Sequence, residues 1–302
     1  MNPAPIALFV YNRLTHTKKT INALLQNKEA VNTDLYIFSD GAKNESEEQK
    51  VNDLRSYLKT IGGFKSINIK EQLINKGLAN SIIDGVTELI ELAGKIIVLE
   101  DDILVSSQFL VYMNNGLNKY ENELNVASIH AYVYPVNDIL PNMFFLRGAD
   151  CWGWATWKRA WKNFEPNGTI LKEKLIQQKL VSSFNYDETY PFFTMLENQI
   201  IGKNNSWAIR WHASCYLNNM LTLYPGQTLI TNIGFDNSGT HCGTEDIYNS
   251  DIKKIDLDCF PNKFIESTIA RNAFKNFFTS SKPQLNNSII FRIKNKLKKL
   301  LG

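Results

Sequence analysis

No apolar run in this 302-residue chain approaches the ~18–20 residues that a membrane-spanning helix requires. A basic leader segment is missing as well. Pro3 and Pro5 precede a short apolar run that stops before Arg13, which reads as a first strand rather than a signal peptide. Cysteine is scarce: Cys151, Cys215, Cys242 and Cys259 form no C-x-x-C pair, which suits free thiols in a reducing cytoplasm. His212, Cys215, His241 and Cys242 offer a zinc set only in principle, and incidental packing is the base case for them. There is no G-x-x-x-x-G-K-[ST] loop, and no G-x-G-x-x-G follows the first strand, where the chain reads YNRLTH. A G-x-S-x-G elbow is also absent, which argues against a serine hydrolase. The sequence holds no internal repeat and no low-complexity tract.

Charge is short of one sign in one place. Residues 282–302 carry six basic side chains (Lys282, Arg292, Lys294, Lys296, Lys298 and Lys299) and no acid. The rest of the chain therefore carries 27 basic and 30 acidic side chains, a mildly acidic body with a basic tail. A protein that coats nucleic acid would spread its positive charge over the fold. Within the tail, Ile289, Ile293, Leu297, Leu300 and Leu301 recur at helical spacing among the cations, the pattern of a helix lying on an anionic membrane surface.

What is present is an alternation of strand and helix patterns. Strands are expected over 6–11, 35–38, 67–69 and 96–99, and helices over 15–26, 46–60 and 78–92. Such an alternation implies a parallel, helix-covered α/β sheet. Right-handed crossovers then bring the carboxyl ends of its strands to one edge. Tyr11, Asn12 and Arg13, then Ser39 and Asp40, then Glu100, Asp101 and Asp102 should meet there. The acidic triplet follows Ile96-Ile97-Val98-Leu99, a run suited to a strand buried on both faces. Carboxylates crowded at such an edge repel one another unless a cation joins them. A divalent ion bridging to a substrate phosphate explains them economically. The competing explanation is a helix start near Ser106, whose dipole acids would favour.

The second half is richer in aromatics. CWGWATWKRAW places four tryptophans in residues 151–161. Trp157 and Trp161 fit one face of a helix, whereas Trp152 and Trp154 flank Gly153, where a ring can face a ligand. Helices are expected over 187–201, 207–218 and 261–278, strand-like runs over 221–230, and a turn-rich loop over 234–243.

In order along the chain stand IALFVYNR, IFSDG, NKGLANS, VLEDDILVSSQFLVYM, WGWATWKRAW, MLENQIIGKNNSWAIRW and LYPGQTLITNIGFDNSGTH. With these segments the chain resembles inverting glycosyltransferases of the GT-A fold over about residues 5–243. The nearest likeness is to bacterial family-2-like sugar transferases, with N-acetylglucosaminyltransferase I more distant. The Gly-rich loop of a sugar-nucleotide pyrophosphorylase is missing after the first strand. The resemblance implies a Rossmann-like, mostly parallel sheet with a C-terminal helical extension. It divides the chain into a nucleotide-sugar half (1–125), an acceptor half (126–260) and C-terminal helices with the basic tail (261–302).

The implied activity is transfer of a sugar from a UDP-sugar to a glycan or lipid-linked acceptor during bacterial surface polysaccharide synthesis. It would take place on the inner face of the cell membrane. By the same resemblance, Asp102 holds Mn²⁺ or Mg²⁺ and His241 adds a ligand. Tyr11, Asn12, Arg13, Ser39, Asp40, Lys76, Glu100 and Asp101 bind the nucleotide-sugar, and Trp152, Gly153 and Trp154 form the acceptor or donor-sugar pocket. An inverting transfer needs a base opposite the leaving group. Where the family commonly carries two adjacent acids this chain has Glu197-Asn198, so the base falls to Glu197, expected to be buried beside the acceptor. Asn198 also leaves open a catalytically silent module that binds sugar nucleotide, and nucleoside triphosphate turnover would mark a nucleotidyltransferase instead.

Overall fold

The computed structural model describes residues 3–236 and 246–281. His241, Cys242 and the basic tail lie outside the described residues. Ten strands order the fold: β1 (Ile6–Val10), β2 (Asp34–Ser39), β3 (Ser66–Glu71), β4 (Lys95–Glu100), β5 (Ile103–Val105), β6 (Val126–His130), β7 (Met143–Arg147), β8 (Trp154–Trp157), β9 (Leu221–Pro225) and β10 (Ile230–Asn232). Between them run α1 (Leu14–Leu25), α2 (Glu45–Leu58), α3 (Leu78–Ala93), α4 (Phe109–Lys119) and the short α5 (Lys158–Trp161). They are followed by α6 (Gly168–Gln177), the short α7 (Val181–Phe184), α8 (Phe192–Ile200), α9 (Trp207–Leu217) and α10 (Thr268–Ser280).

Eight strands form one mixed, mostly parallel sheet in the order β3-β2-β1-β4-β8-β6-β9-β7. β1 is buried along its whole length because IALFV has no polar position to turn outward. It pairs in parallel with β2 on one side and β4 on the other. β8 is antiparallel to both β4 and β6, and β9 runs with β6 and against β7. The carboxyl ends of β1, β2, β3, β4, β6 and β9 therefore share an edge with the amino ends of β7 and β8. The chain leaves β1 toward β2 and returns beyond it at β4, which makes the gap between β1 and β4 the switch point where such sheets take ligands. The antiparallel pair β5/β10 lies against this edge as a second, two-stranded sheet.

The parallel half follows the sequence pattern closely; the remainder departs from it. Trp157 sits in β8, paired with Lys95, and its indole N–H donates to the Leu117 carbonyl at 3.0 Å, so it shares no helix face with Trp161. The helix expected over 187–201 is confined to α8. Tyr186, Asp187 and Glu188 adopt left-handed backbone, and Pro191 precedes the first turn. The helix expected over 261–278 begins only at Thr268, because the Ser267 N–H bonds the Phe145 carbonyl at 2.8 Å and ties the preceding segment to β7. Ser267 then caps α10 by accepting from the Ala270 N–H. A second apolar cluster, including Phe144, Phe184, Phe192, Ile209 and Phe274, joins α6–α10 to β7 and β9. Among the described residues, no helix is long and apolar enough to cross a membrane, and Cys151, Cys215 and Cys259 are free thiols.

Candidate functional site

Asp101 and Asp102 form the two-residue turn between β4 and β5, which leaves both carboxylates at the switch-point edge. Their carbonyls are held from opposite sides. The Thr20 hydroxyl of α1 donates to the Asp101 carbonyl at 2.8 Å, and the Ile233 N–H donates to that of Asp102 at 2.9 Å. Arg13, just past β1, pairs closely with the Asp101 carboxylate and at 2.8 Å with that of Asp102. Both acids are buried, with side chains 5% and 9% exposed. Gly234 backs them: a Cβ there would collide with Asp102 Oδ2.

Burial, and then the charges of Asp102 and Asp101, push the Glu100 carboxyl up to about 8. Burial also pushes Asp101 up to about 6, against the pull of Arg13. The Arg13 guanidinium is raised although burial opposes it, because two carboxylates face it. Three acids thus confront one cation. Asp101 Oδ2 and Arg13 Nη1 are buried without a hydrogen-bond partner. Carboxylate oxygens in excess, one of them unsatisfied, fit a hard divalent cation. Asp102 and Asp101 are the residues that would hold it. Among the described residues no three metal-ligating side chains cluster, so remaining ligands must come from elsewhere, such as a bound phosphate.

The β2 side is already knitted together. Asp40 is buried, and its carboxylate accepts from the backbone N–H groups of Gly41 (2.9 Å), Lys76 (2.8 Å) and Gly77 (2.9 Å) and from Asn75 Nδ2 (3.1 Å). It organises the loop between β3 and α3. Arg55 of α2 braces the same corner, donating to the carbonyls of Ser39, Asp40 and Gln72 and to the Ser39 hydroxyl. Lys76 Nζ pairs with Asp84 at 2.8 Å, the Tyr11 hydroxyl accepts from the Lys43 N–H at 2.9 Å, and Asn12 bonds Glu47. Strand ends that are far apart in sequence do converge here. Arg55 was missed because its spacing reads only as one position of a polar helix.

On the other side of the acids, Gly153 has φ +62° and Trp152 is half-buried. The Trp152 ring lies 4.9 Å from Tyr132, 5.7 Å from Phe235 and 6.2 Å from Tyr248, centroid to centroid. Its backbone N–H donates to His130 Nε2 at 3.2 Å, an acceptor kept neutral because burial pushes the imidazole down to about 3. Trp154 is a correction to the pocket assignment. It is fully buried and stacks on Trp207 at 5.4 Å, with Trp161 and Trp211 around it, so it belongs to the core. Asp150, unmarked by any spacing rule although it immediately precedes the tryptophan motif, accepts from the Tyr224 hydroxyl at 2.9 Å, and burial pushes it up to about 6.

Glu197 does not match its expected environment. Its side chain is 41% exposed and pairs with Lys172 of α6 at 2.8 Å, and no hydrogen bond or ion pair links it to the strand-end acids. The neighbouring helix α9 was expected, but His212 and Cys215 are buried in it and serve the core; His212 Nδ1 meets the Ala149 backbone. His16 is engaged by Asp236 at 3.1 Å, which ties α1 to the segment after β10. An open cavity of about 650 Å³ lies over α3 and α5 among Ile83, Ile90, Trp161 and Phe164, and none of these acids lines it.

No family model matches the chain, and no curated protein matches it. Solved structures of similar fold include a mannosyltransferase, PcManGT from Pyrobaculum calidifontis, in complex with GDP-Man and Mn²⁺. It is 12% identical over 44% of this chain and 37% of its own, with a TM-score of 0.30. S. aureus TarS is 11% identical over 48% of this chain and 24% of its own, with a TM-score of 0.29. A UDP-glucose pyrophosphorylase complexed with UDP-glucose is 11% identical over 74% and 90%, with a TM-score of 0.36. The chain thus spans about a third and a quarter of the lengths of the first two. These are likenesses of fold, and they assign no family and no residue role.

Proposed function

We propose that this chain is a metal-dependent glycosyltransferase that moves a sugar from a nucleotide-sugar donor, a UDP-sugar by preference, to a glycan or lipid-linked acceptor with inversion. The observation that carries the reading is the buried turn Asp101-Asp102 at the switch point, held by Arg13 with carboxylate oxygen to spare. A sheet edge of this kind that retains excess buried carboxylate is suited to a cation and a diphosphate together. Asp102 and Asp101 would hold Mn²⁺ or Mg²⁺, with His241 as a further donor; bound there, the ion offsets the charge developing on the leaving diphosphate.

The chain's own groups do the rest. Arg13 keeps the two carboxylates from repelling each other and presents a second positive centre to the phosphates. Asp40 acts by fixing the backbone of Lys76 and Gly77, which sets the wall against which base and ribose would rest. Tyr11 and Asn12 bond Lys43 and Glu47, and Ser39 accepts from Arg55, which frames the same corner from the β1 and β2 ends. Trp152 and Gly153 supply the aromatic floor for a sugar ring. The basic amphipathic tail suits an anionic membrane surface on the cytoplasmic face, where a lipid-linked acceptor in surface polysaccharide synthesis would be found.

Titration calorimetry tests the reading. UDP should bind in a Mn²⁺-dependent manner, and Asp102→Ala should abolish the metal dependence while the circular dichroism spectrum is kept. Manganese affinity unchanged in that variant would refute the assignment.

A further inference from the structure

Asp150 stands at the same sheet edge and, among the described residues, forms no ion pair. β8 runs antiparallel to β4 with Trp154 opposite Val98, so the segment that leads into β8 arrives from the edge at which β4 ends. Asp150 lies on that approach, four residues before β8. Its backbone is fixed on the near side, where Ala149 meets His212 through both N–H and carbonyl. As a residue Asp150 is partly exposed, and among the described residues its carboxylate has one hydrogen bond, accepted by Oδ2 from the Tyr224 hydroxyl. Oδ1 is not among the buried oxygens that lack a partner, so it keeps contact with solvent. Tyr132, on which the Asp150 charge bears, packs with Trp152, whose ring also meets Tyr248, and an aromatic wall with a polar group nearby is what ligand pockets have.

We propose that Asp150 is the general base of the transfer, taking the proton of the acceptor hydroxyl as that oxygen attacks the donor's anomeric carbon. The new bond joins the acceptor oxygen to the anomeric carbon, and the bond from that carbon to the diphosphate oxygen breaks. Its electron pair leaves with the nucleoside diphosphate, and the proton passes to Asp150 Oδ1. The proposal rests on the glycosyl-transfer reading of the strand-end site. Geometry favours Asp150 over Glu197, whose carboxylate is neutralised by Lys172.

The groups that bear on Asp150 come from four elements and are neutral at working pH. They are Tyr132 and Tyr134 after β6, Tyr186 and Tyr190 before α8, Tyr224 of β9, and the adjacent Cys151, each raised by burial. A carboxylate surrounded by phenols rather than cations is a stronger base than an exposed one. Tyr224 is the positioning residue, since its hydroxyl fixes one oxygen and leaves the other free.

The test uses the full chain with Mn²⁺ and a panel of UDP-glucose, UDP-N-acetylglucosamine, GDP-mannose and dTDP-glucose. It measures nucleoside diphosphate release with water as acceptor, alongside UDP binding. Asp150→Asn should lower release by about 10²–10⁴-fold, leave UDP affinity within about twofold, and remove the acid limb of the pH–rate profile. Asp150→Glu should recover part of the rate. Tyr224→Phe, which deletes a hydrogen bond that favours the ionised form, should shift the acid limb to higher pH. Release near wild type in Asp150→Asn, or a comparable loss only in Glu197→Gln, would overturn the assignment. A ¹³C carboxyl titration reads the group without turnover: a midpoint near 6 is expected, and one at the ordinary 3.8 would overturn it. Failure of the wild type to bind any nucleotide with Mn²⁺ would instead overturn the reading of the strand-end site, and the proposal with it.

Discussion

Asp40 shows how one carboxylate at a strand end acquires its role from the chain around it. Read from IFSDG it is a ligand for base or ribose; in the fold its oxygens are committed to four donors within its own corner. Removing the carboxylate leaves the N–H groups of Gly41, Lys76 and Gly77 without their acceptor, and each buried unpaired donor costs about 1–3 kcal/mol. Asp40→Ala should therefore lose about 3 kcal/mol of stability and free the 75–77 loop. Limited trypsin digestion checks this, because the peptide bond after Lys76 should become a primary cleavage site. Equal digestion of variant and wild type would show that the loop stands without Asp40. Convergence of Arg13, Asp40 and the acid triplet was legible in the sequence, since each follows an apolar strand-like run. What each side chain bonds was not, because Arg55, Asn75 and Thr20 reach the site across the fold.

At the scale of elements, the segment after β10 sets the geometry of the acids. The Ile233 N–H holds the Asp102 carbonyl, and Gly234 passes so close to Asp102 Oδ2 that no side chain fits between them. Gly234→Ala should push segment and carboxylate apart. UDP binding in the presence of Mn²⁺ should weaken roughly tenfold, about 1.4 kcal/mol, with a smaller effect on Tm because the residues flanking Gly234 are only partly buried. Calorimetry beside a thermal melt separates the two effects; loss of Tm with intact binding would place the strain elsewhere. Pro191 and Ser267 carry the same lesson for helices. Helical spacing runs through 187–201 and 261–278, yet left-handed backbone before α8 and pairing with β7 before α10 decide where each begins.

For the whole molecule, the histidines of the interior make unfolding sensitive to acid. Burial pushes His130 down to about 3 and His212 to about 4, so both stay neutral in the fold while the unfolded chain protonates them below about 6.5. Each therefore withdraws stability as pH falls from 6.5 toward its folded value, by up to about 1.4 kcal/mol per pH unit. Asp150, raised to about 6 from 3.8, acts in the opposite sense, gaining protons in the fold first as pH falls through that window. A paired comparison isolates one histidine. His130→Asn keeps an acceptor for the Trp152 N–H, and its stability relative to wild type should rise as pH drops from 7 to 5. Urea midpoints measure it; a difference that stays flat with pH would show that His130 titrates normally in the fold.

The sequence by itself determined the parallel half, β1 to β4 with α1 to α3, because the buried strands β1 and β4 are written as unbroken apolar runs and the helices α1 and α3 as amphipathic ones, with the more polar β2, α2 and β3 placed by the alternation. It determined which strand ends carry polar groups, and so the edge on which a site forms. Tertiary structure alone decided the antiparallel half. There β6, β7 and β8 are four or five residues each, too short for a period to declare itself; Trp157 entered a strand rather than a helix, and Trp154 the core rather than a pocket. It also decided the chemistry beside the acids. Asp150 gains its environment from Tyr132, Tyr134, Tyr190 and Tyr224, residues brought together by β6, β8, β9 and the turn before α8. A carboxylate's basicity depends on what surrounds it, and here the surroundings are distant in the chain.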